Sequence, residues 1–214
     1  KGIEQAPIII QKCYESVCKH SNQKIILLND QNLADYIRLP DYIEKKKDAG
    51  QIPMAGYADL MRFALLEHYG GTWIDSTVYL TEPLPDTILN SDFFAVRNSL
   101  LLIDNPVLYP AWFLHAKKGN KTIREVRNVA FSYWLKNEHV IEYLLPNLII
   151  TLVVKSNPEV EKAIPYMNSD YSEYLVKVLA DDYSEEKWNW IKKLTGIHKL
   201  TYKLDADIKH GHNL

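Results

Sequence analysis

This sequence of 214 residues has few cysteines, no excess of charge of one sign and no long apolar segment. Cys13 and Cys18 are its only cysteines, and their spacing on a predicted helix is poorly suited to a disulfide. Two thiols alone also do not form a zinc site. Because free thiols are typical of a reducing compartment, we expect a cytoplasmic protein.

The charge balance and the apolar runs argue against two further classes of protein. The formal net charge is -2, so the composition gives no reason to expect a nucleic-acid partner. No apolar run reaches the roughly 20 residues that a membrane-spanning helix needs. With 47% hydrophobic residues, the chain is ordinary for a globular domain and long enough to bury a core.

Residues 56–80 carry the clearest local signals. Apolar side chains recur at helical spacing from Tyr57 to Tyr69, which predicts a helix with one buried face. Gly70 and Gly71 end this helix, because glycine adopts left-handed backbone angles at little steric cost. The β-branched and aromatic residues at 72–74 then favour a strand.

Three charged side chains in this stretch indicate a candidate site. Asp59 and Arg62 are three positions apart on the predicted helix, so they share a face. Asp75 follows the predicted strand, and open α/β sheets bind ligands beyond the ends of their strands. Two interpretations stay open from spacing alone. The residues form either a surface ion pair and a strand-ending acid, or a group that converges on one polar ligand.

Four other segments carry predictions that bear on the central sheet. Apolar runs predict strands at 24–28, 92–96 and 100–103, and a helix with Trp112 and Phe113 is predicted at 105–117. Strands that alternate with helices favour a parallel sheet.

The order of these residues resembles the DXD-type sugar transferases of the capsular polysaccharide synthesis family. The motifs that carry the resemblance are Ala58-Asp59-x-x-Arg62, Tyr69-Gly70-Gly71-x-Trp73-x-Asp75-Ser76-Thr77 and Thr81-x-Pro83-Leu84. Residues 2–16, 112–116, 133–134 and 198–203 resemble further landmarks, so the resemblance covers most of the chain.

The resemblance implies an α/β fold of the GT-A type, with a mostly parallel central sheet flanked by helices and a helical C-terminal part. We expect one glycosyltransferase domain over residues 1–214. Its nucleotide-sugar-binding half would span about 1–104, and its mainly helical acceptor-side half about 105–214. The first strand of such a fold would lie upstream of residue 1, so we expect it to be missing from this chain.

The resemblance also implies site residues. Asp59, Arg62, Asp75 and Ser76 would bind the donor, since a carboxylate accepts hydrogen bonds from sugar hydroxyls and a guanidinium can neutralise phosphate charge. A divalent ion, Mn²⁺ or Mg²⁺, would be held by Asp75, Thr77 and a late histidine, His198. Thr77 stands where the stricter motif has a second Asp, so we expect weak metal binding.

The implied reaction transfers a hexose from a nucleotide sugar, UDP being the favoured nucleotide, to a bacterial capsular or exopolysaccharide acceptor. The resemblance favours retention of anomeric configuration and admits a lipid-linked acceptor. No catalytic residue is assigned. The carboxylates available as a base are those of Glu125, Asp170, Asp181 and Asp182.

Two other functions stay open: an inactive transferase-like module that binds nucleotide or carbohydrate, and an interaction domain in which Asp59, Arg62 and Asp75 form a structural ion-pair network. The mixture of lysine and aromatic residues at 187–203 predicts either peripheral contact with the inner face of the plasma membrane or a helix packed on the domain.

Overall fold

The computed structural model describes residues 2–99 and 106–203 of a mixed α/β protein. Within these residues the helices are α1 Ile8–His20, α2 Leu33–Tyr36, α3 Asp41–Asp48, α4 Met54–Tyr69, α5 Asp86–Leu89, α6 Lys121–Lys136, α7 Leu145–Lys155, α8 Pro158–Ala163, α9 Ser169–Ser172, α10 Tyr174–Lys177 and α11 Glu185–Leu194. The strands are β1 Gly71–Ile74, β2 Val78–Leu80, β3 Phe93–Ala95, β4 Phe113–Ala116 and β5 Ile197–Lys199.

The chain divides into two compact units, each assembled from separate stretches of sequence. The first unit comprises Lys1–Asp30, Asp75–Pro85 and Asn168–Leu214. The second unit comprises Gln31–Ile74 and Asp86–Met167. The chain therefore leaves the second unit at Ile74 and enters the first at Asp75, in the middle of the most informative stretch of the sequence.

The second unit is built on a three-stranded antiparallel sheet in the order β1-β4-β3. Ile74 lies opposite Phe113 in the β1–β4 pair, and Phe93 lies opposite Ala116 in the β3–β4 pair. Helix α4 packs against α6, and α6 packs against α7. Their apolar faces bury one core together with the sheet, since burial of apolar surface is the main force that holds such layers together.

The transition from α4 to β1 confirms the predicted helix, glycine turn and strand. Gly70 follows the helix with a φ of 73°, which a residue with a side chain rarely adopts. A Cβ atom at this position would also lie 2.5 Å from the backbone nitrogen of Lys118. Glycine is therefore required at position 70 both for its backbone angle and for the close approach of the neighbouring chain.

The first unit contains the antiparallel pair β2–β5, and α1 packs against β2. The hydroxyl of Ser16 links the helix to the strand, because it accepts a hydrogen bond from the Leu80 backbone N–H at 2.9 Å. Both cysteines are free thiols, as predicted. Cys13 is buried in a small core with Ile9, Leu179 and Leu200, and burial raises the pKa of its thiol to about 12.

Two predictions about the fold are wrong, and a third is not confirmed. The mixed α/β class is confirmed, but both sheets in the described residues are antiparallel, so the parallel central sheet of a GT-A fold stays a prediction. Residues 24–28 belong to no strand, and the described part of the helix predicted at 105–117 contains strand β4, Phe113–Ala116, instead of a helix. The predicted strand at 100–103 lies outside the described residues.

Strand β4 was mistaken for a helix because it is the central strand of its sheet. All four of its residues are buried, so its sequence shows no alternation of apolar and polar side chains. No helix in the described parts of the chain has the length and apolar character needed to cross a membrane.

Candidate functional site

The residues predicted to bind the donor and the metal fall in both units. Asp59 and Arg62 belong to the second unit, whereas Asp75, Ser76, Thr77 and His198 belong to the first.

Arg62 lies inside the second unit, where several groups surround its guanidinium. Nη2 lies 3.1 Å from Oδ1 of Asp59, and Nη1 donates to the backbone carbonyl of Ala111 at 2.5 Å. The guanidinium also lies over the ring of Trp73, 4.9 Å from its centroid. These contacts use the planar fork of arginine, which lysine does not have. Arg62 therefore ties helix α4 to the sheet of the second unit.

The Asp59 carboxylate is more accessible than its partner. Its side chain is 17% exposed, against 9% for Arg62. A carboxylate that is paired with a buried guanidinium is held in one orientation. The pair thus suits a fixed acceptor of hydrogen bonds, with Arg62 in a positioning role and Asp59 closer to solvent.

Asp75 begins a tight turn in the first unit. The backbone N–H of Val78 donates to the carbonyl of Asp75 at 2.9 Å, so Ser76 and Thr77 are the central residues of a four-residue turn. Ser76 is exposed and Thr77 is buried. We call residues 75–78 the Asp75 turn.

The end of strand β5 holds this turn in place. The backbone N–H of Leu200 donates to the carbonyl of Thr77 at 2.8 Å. Beside this bond, Nζ of Lys199 donates to Oγ1 of Thr77 at 2.5 Å and to Oδ2 of Asp75 at 3.3 Å. The structure therefore brings together a carboxylate, a hydroxyl and an ammonium group, and the ammonium is the one that the sequence prediction missed.

The signal for Lys199 was present in the sequence, because residues 198–203 resemble a landmark of the family. The prediction from the sequence chose His198, because histidine is a common metal ligand. Successive side chains of a strand point to opposite faces, so His198 and Lys199 cannot both face the Asp75 turn. The pairing of Val78 with Lys199 across β2–β5 determines that Lys199, and not His198, faces the Asp75 turn.

His198 lies on the other face of β5. Its side chain is fully buried, and Nε2 lies 3.2 Å from Oγ1 of Thr81. Nδ1 is buried with no hydrogen-bond partner among the residues that the structure describes. Burial lowers the pKa of the ring to about 4, so His198 is neutral at physiological pH.

The groups around the Asp75 turn can be compared with what a divalent cation requires. Mn²⁺ and Mg²⁺ bind several oxygen ligands and favour carboxylates. Here the ammonium of Lys199 already contacts both the Asp75 carboxylate and the Thr77 hydroxyl. In the described residues no group of three or more His, Cys, Asp or Glu side chains is placed to hold a metal ion. With Lys199 in this position, the set does not fit a bound divalent cation.

Glu173 is a further carboxyl group that the sequence analysis did not single out. It lies between α9 and α10, two helices that pack against β5. The pKa of Glu173 is raised, first by burial and also by the charge of Asp170, and the charges of Lys177 and Lys199 and a hydrogen bond with Ser169 offset only part of this rise. Lys199 thus lies in the field of two carboxyl groups, those of Asp75 and Glu173.

The candidate bases lie in different surroundings. Glu125 is exposed on α6 of the second unit, while Asp170, Asp181 and Asp182 belong to the first unit. Asp181 forms an exposed salt bridge with Lys187, with 2.6 Å between Oδ2 and Nζ. These contacts do not single out one of them as the base, so no catalytic base is assigned.

Comparison with known proteins agrees with the motifs of the Asp75 turn and of helix α4. The model of the family described as capsular polysaccharide synthesis protein matches residues 1–214. The chain belongs to the capsular polysaccharide synthesis protein family. The resemblance inferred from the sequence is thereby confirmed as a family assignment. No curated protein matches the chain.

The C-terminal lysine-aromatic segment of this family member is partly packed and partly exposed. Ile191 is buried, and the ring of Trp188 lies 6.4 Å from that of His198. Trp190 is 46% exposed, although its ring also contacts Tyr174 at a centroid distance of 5.0 Å. Helix α11 is therefore anchored to the first unit by one face and presents lysines and a tryptophan on its surface.

Proposed function

We propose that this chain is a glycosyltransferase that moves a hexose from a UDP-sugar to a bacterial capsular or exopolysaccharide acceptor, with retention of anomeric configuration. Membership of the capsular polysaccharide synthesis family supports a role in making capsule. The transfer reaction, the donor and the retention are our proposal.

One observation carries the proposal: at the Asp75 turn, the carboxylate of Asp75 lies beside the ammonium of Lys199. Asp75 is 25% exposed, so its carboxylate is accessible to a ligand that donates hydrogen bonds. Lys199 supplies positive charge at the same place. A nucleotide diphosphate sugar offers the matching groups, since its ribose and hexose have hydroxyl donors and its diphosphate has negative oxygens.

The proposed reaction balances without an added oxidant or reductant. The bond between the anomeric carbon and the β-phosphate oxygen breaks, and its electron pair stays on the diphosphate. The acceptor hydroxyl oxygen bonds to the anomeric carbon, and its proton passes to the released diphosphate. Positive groups near the leaving oxygens accelerate such a step, because negative charge develops there in the transition state.

Asp59 and Arg62 have a second role in the proposal. Asp59 would accept hydrogen bonds from hydroxyls of the donor, while the buried Arg62 holds the carboxylate in one orientation. This division of roles gives discrimination between sugars, because an unpaired carboxylate penalises an epimer that lacks the matching hydroxyl.

We propose that the acceptor is a growing glycan. A lipid-linked form of this acceptor would bring the protein to a membrane. The exposed Trp190 and the lysines of α11 support peripheral contact through residues 187–203, since tryptophan and lysine are favoured at a lipid headgroup boundary. Such contact would place the protein at the inner face of the plasma membrane.

Release of UDP from a panel of UDP-hexoses tests the proposal. We expect the unmodified chain to release UDP from one or a few of these sugars by slow transfer to water. We expect Asp75→Asn to lower the rate by about 10- to 100-fold, because it removes a charged hydrogen-bond acceptor at the donor. Asp92→Asn is the matched control, since that side chain is 79% exposed and pairs only with Lys117 among the described contacts.

Three outcomes are distinguishable. UDP release that falls in Asp75→Asn and not in Asp92→Asn supports the proposal. Binding of UDP-sugars with no release, even with glycan acceptors added, would favour the inactive binding module. Equal rates in all three proteins would contradict the assignment of Asp75 to the donor site.

A further inference from the structure

The ammonium of Lys199 lies where the family motif would lead one to expect a divalent cation. Asp75 and Thr77 occupy the two metal positions of the motif, and Nζ of Lys199 lies 3.3 Å and 2.5 Å from their side-chain oxygens. A divalent cation bound to the same oxygens would lie close to the ammonium, and the two positive charges would repel one another. We therefore expect this site to hold either the ammonium or a divalent cation, but not both.

Lys199 is held at this position by backbone structure and not only by its charge. It pairs with Val78 across the β2–β5 ladder, and the next residue, Leu200, donates a backbone hydrogen bond to Thr77. These backbone contacts fix the strand beside the Asp75 turn, so the root of the lysine side chain has little freedom. A group fixed in this way costs little conformational entropy when a ligand binds.

The ammonium group retains capacity for a ligand. Lysine has three N–H donors, and two of them are used by Asp75 and Thr77. In the part of the chain that the structure describes, the third donates to no protein group, and the side chain is 23% exposed. A ligand oxygen can therefore reach the ammonium without breaking either of the existing contacts.

We propose that Lys199 takes the place of the divalent cation in this chain and binds the diphosphate of the donor directly. The inference rests on the proposed function, because it assumes a nucleotide diphosphate donor. Asp75 and Thr77 then serve as positioning residues for the ammonium, and Asp75 also faces the donor. Binding of the diphosphate to this chain requires no added metal.

The chemistry of the two cations gives different expectations. A divalent ion chelates two phosphate oxygens and is lost on addition of EDTA. An ammonium is part of the chain and binds phosphate as a point charge, so a chelator leaves it in place. The diphosphate of UDP should gain more from Lys199 than the single phosphate of UMP, because UDP has a second phosphate group and a larger negative charge.

Calorimetric titration with UDP and UMP tests the inference. We expect the unmodified chain to bind UDP in EDTA, with an affinity that changes less than about threefold when Mn²⁺ replaces the chelator. In Lys199→Met we expect UDP affinity in EDTA to fall by about 10- to 100-fold, since a hydrogen bond to a charged group is lost. UMP affinity should fall less, so the ratio of UDP to UMP affinity should decrease.

Two further variants control the experiment. Lys199→Arg keeps a positive charge and should retain more UDP affinity than Lys199→Met. Lys19→Met removes an exposed lysine from α1 of the same unit and should leave both affinities unchanged. Circular dichroism of each variant checks that it folds. If Lys199→Met does not fold, the UDP affinity of the unmodified chain in EDTA and in Mn²⁺ still tests whether binding needs a metal ion, and Lys199→Arg tests the side chain.

The possible results separate this inference from the proposed function. UDP binding that needs Mn²⁺, or that is the same in folded Lys199→Met, would overturn the role of Lys199 and leave the donor proposal standing. UDP binding in EDTA that depends on Lys199 supports both. No UDP binding under any condition would overturn a UDP-sugar donor and this inference with it.

Discussion

Replacement of Arg62 by methionine tests how the buried ion pair of the second unit contributes to stability. The substitution keeps an unbranched side chain of similar length and removes the guanidinium. It leaves the Asp59 carboxylate without its 3.1 Å partner and the Ala111 carbonyl without its donor. Both acceptors would then remain partly buried with one fewer hydrogen bond. This loss is the main energetic cost of deleting one member of an ion pair.

The magnitude follows from the burial of the pair. Deleting one member of a fully buried ion pair typically costs about 3–5 kcal/mol, whereas an exposed pair contributes about 0–1 kcal/mol. Arg62 is 9% exposed and Asp59 17%, so the pair lies near the buried limit with some access for water. We therefore expect Arg62→Met to lower the free energy of unfolding by about 3 kcal/mol.

Urea unfolding followed by circular dichroism measures this change. Arg124→Met is the matched control, because Arg124 is 48% exposed and its salt bridge with Glu67 should contribute less than about 1 kcal/mol. Adding Asp59→Asn to Arg62→Met should recover part of the loss, since the carboxylate charge that Arg62 offsets is then removed as well. A change below about 0.5 kcal/mol in Arg62→Met, or one equal to that in Arg124→Met, would refute the reasoning.

Two further predictions concern the backbone turn and a buried histidine. Gly70→Ala should lower the stability by about 1–3 kcal/mol, because φ at this position is 73° and the new Cβ would collide with the Lys118 backbone. Urea unfolding measures the loss, and a stability equal to that of the unmodified chain would contradict it. The pKa of His198 is about 4 in the folded chain, below its ordinary value of 6.5. As the pH falls, this histidine is therefore protonated in the unfolded chain before it is protonated in the folded chain. Stability should therefore be unaffected above pH 6.5 and decrease as the pH falls from about 6.5 to 4, by about 3 kcal/mol in all. His198→Gln should show a smaller decrease over this range, and an identical pH dependence in both proteins would contradict the prediction.

The sequence was most informative where local rules are strict. Helix α4, its glycine stop and strand β1 were predicted because the apolar period and the positive φ of Gly70 are local properties. The family motifs identified Asp59, Arg62 and Asp75 as candidates for the same reason. These are properties of short segments, and they need no knowledge of the pairing of distant strands.

The sequence was less informative where long-range pairing decides. Strand β4 consists of four buried residues, Phe113–Ala116, and a short, mainly apolar segment of this length suits a helix as well as a strand. Alternation of predicted strands and helices favoured parallel pairing, yet β1 and β3 both pair with β4 in antiparallel register. Local sequence patterns do not determine whether two strands pair in parallel or in antiparallel.

Lys199 shows the same limit at the scale of one residue. His198 and Lys199 are adjacent, and the choice of which faces the Asp75 turn depends on the register of β5 with β2. That register is set across more than 100 residues of sequence. Chemical expectation favoured the histidine, because histidine is the commoner metal ligand, whereas the strand geometry presents the lysine.

The most direct test of the central claim is a calorimetric titration of the unmodified chain with UDP. We expect saturable binding at one site, since the donor nucleotide is the ligand that the Asp75 turn is proposed to recognise. Absence of binding both in EDTA and in Mn²⁺ would contradict the claim that this chain carries a UDP-sugar site.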